Sequence, residues 1–131
     1  MTLLRISEAA ELLGLSDDTV RRHVEHGRLA GRKDEHGRLA VEGAEVAALA
    51  VEIARPATIG IVADESARNR MRGLVTRILK DTVMAQVELQ CGPFRIVSLM
   101  SREAVEELGL EVGSVAVASI KATTVVIGVP Q

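Results

Sequence analysis

Ser66-Ala67-Arg68-Asn69 and, much further along the chain, Lys121-Ala122-Thr123 hold the groups best suited to chemistry with an anion. Ser66 and Thr123 offer hydroxyls, and Lys121 a compact ammonium. Ala67 is small, so its amide can approach a ligand closely, and successive amides through Arg68 and Asn69 can form an anion-binding nest. Ala122 adds only its backbone. Hydroxyls, one cationic head and several N–H groups, with no carboxylate among them, are the donor set that a tetrahedral oxyanion requires. Taken singly, each residue has a plainer role. Ser66 can cap a turn, Asn69 can hold an Asx-turn, and Lys121 can be an exposed strand end. The combination points to the anion.

A second constellation lies near the amino terminus. Arg21 and Arg22 sit on a short helical segment in which Val20 and Val24 form an apolar i,i+4 pair. Asp17, Thr19, Arg21, Arg22 and Glu25 occupy its remaining surface, where some can enter a DNA major groove. Solvated helix charges are the alternative reading of the two arginines. His23, His26 and His36 are not a metal set, because no cysteine or carboxylate is placed to complete one.

These groups need elements to position them. Residues 3–52 read as largely helical. Ile6, Ala9, Ala10, Leu12 and Leu13 recur at helical spacing, Ser7 is a candidate N-cap, and Gly14 breaks the pattern. Ser16 caps a second helix running to about His26, with Gly27 as a left-handed stop. Arg32–Ala40 reads as a β-hairpin with Gly37 near its tip. Ala44–Ala54 returns to helix, and Arg55-Pro56 ends it. Thr58-Ile59-Gly60-Ile61-Val62 reads as a linker or a short edge strand. From Arg70 the period becomes two. Met71–Leu79, Val83–Gln90, Phe94–Met100, Val115–Lys121 and Thr124–Val129 are strand candidates, and Ser101 caps a helix over Arg102–Leu108 that stops at Gly109. The expectation is an α+β chain: a helix-turn-helix unit over 1–54, a linker over 55–65, and a small five-stranded barrel of the oligonucleotide/oligosaccharide-binding type over 66–131.

Composition narrows the function. The chain has 131 residues and is 47% hydrophobic, yet Phe94 is its single aromatic. Base stacking on single-stranded nucleic acid therefore lacks its usual platform. Two cores this small and this poor in aromatics call for oligomerisation. The net charge of −2 argues against indiscriminate coating of nucleic acid. Residues 1–52 carry 7 basic and 10 acidic side chains, and 53–131 carry 9 and 8, so the amino-terminal part is the more acidic. Within 66–80, however, Arg68, Arg70, Arg72, Arg77 and Lys80 meet no acid. Cys91 is the lone cysteine and reads as an inert strand-end thiol. Met84 and Met100 read as core residues, not soft-metal ligands. No apolar run is long enough to span a membrane and no signal-peptide segment opens the chain, so a reducing cytoplasm is expected.

Two resemblances sharpen this. Ile6-Ser7-Glu8-Ala9-Ala10-Glu11-Leu12-Leu13-Gly14-Leu15-Ser16, Thr19-Val20-Arg21-Arg22-His23 and Gly27-Arg28-Leu29 together resemble the MerR/excisionase-type winged helix-turn-helix. The resemblance implies that Thr19, Arg21 and Arg22 lie on the reading helix and that Lys33 and Arg38 lie in the wing. His23 stands where that family often has an aromatic, and Asp34-Glu35 would repel phosphate from the wing. Ser66-Ala67-Arg68-Asn69, Gly73-Leu74-Val75, Val83-Met84-Ala85-Gln86-Val87, Glu103–Leu110, Gly113 and Ile120-Lys121-Ala122-Thr123 resemble the molybdate-binding Mop (TOBE-type) domain of the molbindins. That resemblance implies a molybdate or tungstate dianion bound between subunits. Ser66, Ala67 and Arg68 would come from one chain, and Lys121, Ala122 and Thr123 from another. Some relatives have serine where this chain has Ala122, which removes one hydroxyl.

The function expected is that of a cytoplasmic regulator of transcription. It would bind molybdate or tungstate and double-stranded DNA, and assemble with itself as a dimer or a hexamer. The alternatives are a molybdate store whose DNA-binding head is vestigial and a sensor of another anion such as sulfate. No nucleophile–base pair, metal cluster or phosphate-binding loop suggests an enzyme.

Overall fold

The chain divides at Arg55, where the following proline disfavours a further helical turn, into the units Met1–Arg55 and Pro56–Gln131. The computed structural model describes residues 1–60 and 65–131. Of the segment read as linker or edge strand, Thr58–Gly60 adopt neither helix nor strand, and Ile61 and Val62 lie outside the described residues.

In the first unit a short strand β1 (Leu3–Arg5) runs directly into helix α1 (Ile6–Leu13). This corrects two expectations. Leu3–Arg5 are not helical, because they pair antiparallel with Glu42, Val41 and Ala40. Ser7 is not the N-cap: Arg5 holds that position without a side-chain cap, and the strand delivers the chain to Ile6 already extended. Gly14 ends α1 at φ 69°, a left-handed conformation that glycine adopts without a Cβ penalty. Helix α2 (Asp17–Glu25) opens as expected, with Ser16 Oγ accepting from the Thr19 amide at 3.1 Å. Its exit is closed by the Arg28 and Leu29 amides, which both donate to the His23 carbonyl, at 2.8 and 3.2 Å. Leu29 is thereby carried into the core.

Strands β2 (Gly31–Lys33) and β3 (Leu39–Glu42) form the expected hairpin, and β1 adds to β3 to give the order β1-β3-β2. Helix α3 (Gly43–Ile53) follows at once. Ile6, Ala9, Ala10, Val20, Leu29, Val41, Val46 and Leu49 make one buried cluster, to which the three helices and β3 contribute apolar side chains. Burial of each larger side chain in such a cluster stabilises by about 1.5–3 kcal/mol.

The second unit is a four-stranded antiparallel sheet in the order β6-β5-β4-β7, made of β4 (Asn69–Lys80), β5 (Met84–Cys91), β6 (Phe94–Ser101) and β7 (Val115–Ile120). β4 is long enough to pair with β7 through its first half and with β5 through its second. A bulge between Val75 and Arg77 bends it there, and the Thr76 hydroxyl donates to the Glu88 carbonyl at 3.2 Å. Helix α4 (Arg102–Leu108) is capped by Ser101 and stopped by Gly109 as expected. Val75, Ala85, Val87, Leu89, Cys91 and Val105 form the core, and burial pushes the Cys91 thiol up from its ordinary pKa.

Among the described residues the second unit has four strands, not the five expected of the barrel. Thr124–Val129, expected as the fifth strand, is not one: Ala122–Thr124 make a single 3₁₀ turn and the residues beyond run on exposed. β-branched residues favour a strand only where another strand accepts their hydrogen bonds, and among the described residues no strand does so. Among the described residues β6 and β7 are the edges of the sheet.

Candidate functional site

The antiparallel register of β4 and β7 decides where the donor residues lie. Asn69, the first residue of β4, pairs with Ile120, the last of β7. Ser66-Ala67-Arg68, which lead into β4, and Lys121-Ala122-Thr123, which leave β7, therefore emerge at the same end of one strand pair. Residues remote in sequence become neighbours because two strands run antiparallel, in register, over Asn69–Leu74 and Val115–Ile120.

Within that neighbourhood the roles differ. Ser66 and Arg68 are exposed and Ala67 is buried. Asn69 does not hold an Asx-turn. Its Nδ2–H donates to the Ile120 carbonyl at 3.1 Å, so it fixes the strand end from which Lys121 projects. Lys121 is exposed, and its carbonyl accepts from the Thr124 amide at 3.0 Å and the Thr124 hydroxyl at 2.8 Å. Thr124, not Thr123, closes this turn, and the exposed Thr123 hydroxyl makes none of the turn's bonds. The expected nest of amides is altered. A nest alternates right- and left-handed residues, and no non-glycine residue described has a positive φ, so Ser66–Asn69 present their amides without that alternation.

Three residues that motif reading passed over also converge here. Ser119 Oγ–H donates to Glu65 Oε1 at 2.7 Å. Arg70 Nε lies 3.0 Å from the same oxygen, and Arg70 Nη2 donates to the Glu65 carbonyl at 3.4 Å. Arg70 and Ser119 are a cross-strand pair in the register. A carboxylate thus stands immediately before the donor segment, tied to both strands that position it. Among the described residues, no ion pair engages Arg68 or Lys121.

Known proteins are similar to each part of the chain. The family model of the TOBE domain matches residues 65–127, and that of a helix-turn-helix domain matches residues 3–50. A probable molybdenum-pterin-binding protein of Haemophilus influenzae is 46% identical over 65 residues, covering 49% of this chain and 94% of that protein. The chain belongs to the Mop-type TOBE family. Molybdenum-pterin-binding protein 1 of Clostridium pasteurianum is 41% identical over 63 residues, or 47% of this chain and 93% of that one. Among solved structures, the cytoplasmic molybdate-binding protein ModG with molybdate bound overlaps at a TM-score of 0.49 and 44% identity. That overlap covers 51% of this chain and 48% of that one. The small Mop-type relatives thus correspond to the carboxy-terminal half, and the helix-turn-helix stands outside their match.

On the helix-turn-helix unit, Arg21 and Arg22 are exposed on α2. Arg21 lies 3.8 Å from Asp18, and among the described residues Arg22, Lys33 and Arg38 enter no ion pair. Arg28 is held by Glu52 at 2.6 Å and Arg32 by Glu42. The Thr19 hydroxyl lies 2.9 Å from Ser16 Oγ, so it is engaged in the helix start. Asp34 differs from expectation too. Its Oδ1 accepts from the His36 and Arg38 amides at 2.8 and 2.9 Å, which spends the carboxylate on closing the hairpin. The Arg38 amide, followed by that of His36, holds the Asp34 carboxyl below the usual carboxylate range. Glu35 remains at the tip, its carboxylate 3.4 Å from His36 Nε2. None of the described residues forms a cluster able to hold a metal ion.

Proposed function

We propose that this chain is a molybdate- or tungstate-responsive DNA-binding regulator. The observation that carries the reading is the Asn69–Ile120 register, which gathers Ser66–Arg68 and Lys121–Thr123 in a chain that also bears a helix-turn-helix. Its Mop-type relatives are named as molybdenum-pterin-binding proteins, which supports molybdenum as the element recognised. Ser66 and Thr123 hydroxyls, the amides of Ala67 and Arg68, and the Lys121 ammonium are the groups we assign to the oxyanion. Asn69 supports it through its side-chain bond to the Ile120 carbonyl, and Ala122 through its backbone. Binding alone, without catalysis, is the function of the site.

The assembly is a homo-oligomer in this reading. Val126, Ile127 and Val129 are 91%, 84% and 87% exposed, an unfavourable state for apolar β-branched residues, while β6 and β7 offer open edges. A second copy of the chain satisfies both, and it brings the donor segments of two chains together. Anion binding at such an interface would set the spacing of paired DNA-binding heads. Thr19, Arg21 and Arg22 on α2, with Lys33 and Arg38 on the hairpin, are the DNA-facing residues we assign. Thr19 acts there through its backbone and methyl group more than through its engaged hydroxyl. The expected compartment is the cytoplasm.

The test is calorimetric titration with molybdate, tungstate and sulfate on protein whose size is fixed by light scattering. An oligomer that binds the two larger anions, and sulfate much more weakly, is expected. Lys121→Ala should weaken molybdate binding by about 1.5–3 kcal/mol, the range for a hydrogen bond to a charged group. Protein that binds none of the three would refute the reading. A monomer that still binds would refute the shared site.

A further inference from the structure

A carboxylate beside a dianion site is an expense that needs a reason. Glu65 directly precedes Ser66; the residue is exposed as a whole, while its side chain, at 32% exposure, is turned against the strand pair. Two contacts hold its Oε1: the Ser119 hydroxyl donates at 2.7 Å, and the Arg70 guanidinium lies at 3.0 Å. The Arg70 Nε–H is out of water and finds no well-aimed acceptor among the described residues, so its bond to Glu65 is chiefly one of charge. Arg70 Nη2 reaches the Glu65 carbonyl as well, so side chain and backbone of the same residue are gripped. Arg70 belongs to β4 and Ser119 to β7, directly opposite each other.

We propose that Glu65 is a positioning and charge-tuning residue for the oxyanion site, an inference that rests on the anion-binding reading above. It does two things. Its carboxylate ties the segment carrying Ser66, Ala67 and Arg68 onto the strand pair from which Lys121 projects. It also cancels the charge of Arg70, the basic residue closest in the chain to that segment apart from Arg68 itself. Without that cancellation, any small dianion would be attracted by the local field. With it, attraction rests on the charges of Lys121 and Arg68 and on directed donors, which reward the size and shape of the anion. Glu65 thus trades affinity for selectivity.

Three variants separate these effects. Glu65→Gln keeps an oxygen acceptor for Ser119 and removes the charge, leaving Arg70 unneutralised. It should tighten binding of molybdate and sulfate alike by about three- to tenfold at low salt, the scale of one partly screened charge acting on a dianion. The molybdate-to-sulfate ratio should fall and the salt dependence steepen. Arg70→Gln leaves the carboxylate unneutralised and should weaken both anions, and the double variant should lie between the two singles. Glu65→Ala also loses the tie, so it should weaken molybdate. All are read by calorimetry at two salt concentrations, with thermal unfolding to confirm folded protein. A merely structural Glu65 would give Glu65→Gln and Arg70→Gln the wild-type affinities, selectivity and salt slope while Lys121→Ala still loses molybdate. That result overturns the proposal and leaves the site standing. Failure of wild-type protein to bind any of the anions overturns both.

Discussion

Gly73 contributes no side chain to the sheet, and that is its use. A Cβ there would meet the Gln90 carbonyl and lie 2.7 Å from Cys91 Sγ, so β4 and β5 approach through the missing atom. Gly73→Ala should destabilise the second unit by about 1–3 kcal/mol, the usual cost of overpacking where the backbone must give way. Denaturant unfolding measures it, and an unchanged midpoint would show that the sheet relaxes freely. At this scale the sequence was most readable where chemistry depends on residue type alone. Ser66, Arg68 and Lys121 stand out as donors wherever they fall. Glu65 did not, because its meaning depends on Arg70 and Ser119 being opposite each other on two strands. Motif reading has no access to that register. Asn69 was legible as polar, but its partner, the Ile120 carbonyl, is also set by the register.

Turn chemistry governs the elements. Asp34 closes the β2–β3 hairpin through two amides, and these favour its ionised form. Its folded-state pKa is depressed, so its stabilising effect is present above the ordinary carboxylate range. The effect is lost as pH falls through the lowered value. Asp34→Ala should therefore expose the His36 and Arg38 amides to hydrogen exchange. Asp34→Asn, which keeps the oxygen, should retain part of the protection, and its deficit from wild type should shrink on acidification. Equal protection of those amides in all three proteins would rule out the cap. Helix and strand periods, Ser16, Ser101, Gly14, Gly27 and Gly109 announced most elements correctly. Leu3–Arg5 escaped because three residues are too few to show a period of two, and they abut a helical pattern. Thr124–Val129 misled for the opposite reason. Its β-branched residues state a preference, and a strand also needs a neighbour.

Two units of different chemistry are joined in the whole molecule. The helix-turn-helix unit has fewer basic than acidic residues. It further spends Arg28 and Arg32 on Glu52 and Glu42, so a single head should bind DNA weakly. The Arg55-Pro56 break and the change of period near Arg70 mark the two units in the sequence, and the lack of a large aromatic core in either is the reason partners are expected. What composition leaves open is the assembly, because an open sheet edge and an exposed tail are properties of the fold. If oligomerisation pairs the heads, DNA affinity becomes a function of how the anion-binding halves meet. The decisive measurement is fluorescence anisotropy on the protein's own promoter duplex and a scrambled duplex, over a salt series, with and without molybdate. The account predicts promoter-selective binding that molybdate shifts. Arg21→Ala should relax the sequence preference, and Lys33→Ala should lower the salt slope by about one unit. Equal and negligible affinity for both duplexes in every condition would contradict the regulator and leave a molybdate store. Promoter binding indifferent to molybdate would contradict the switch.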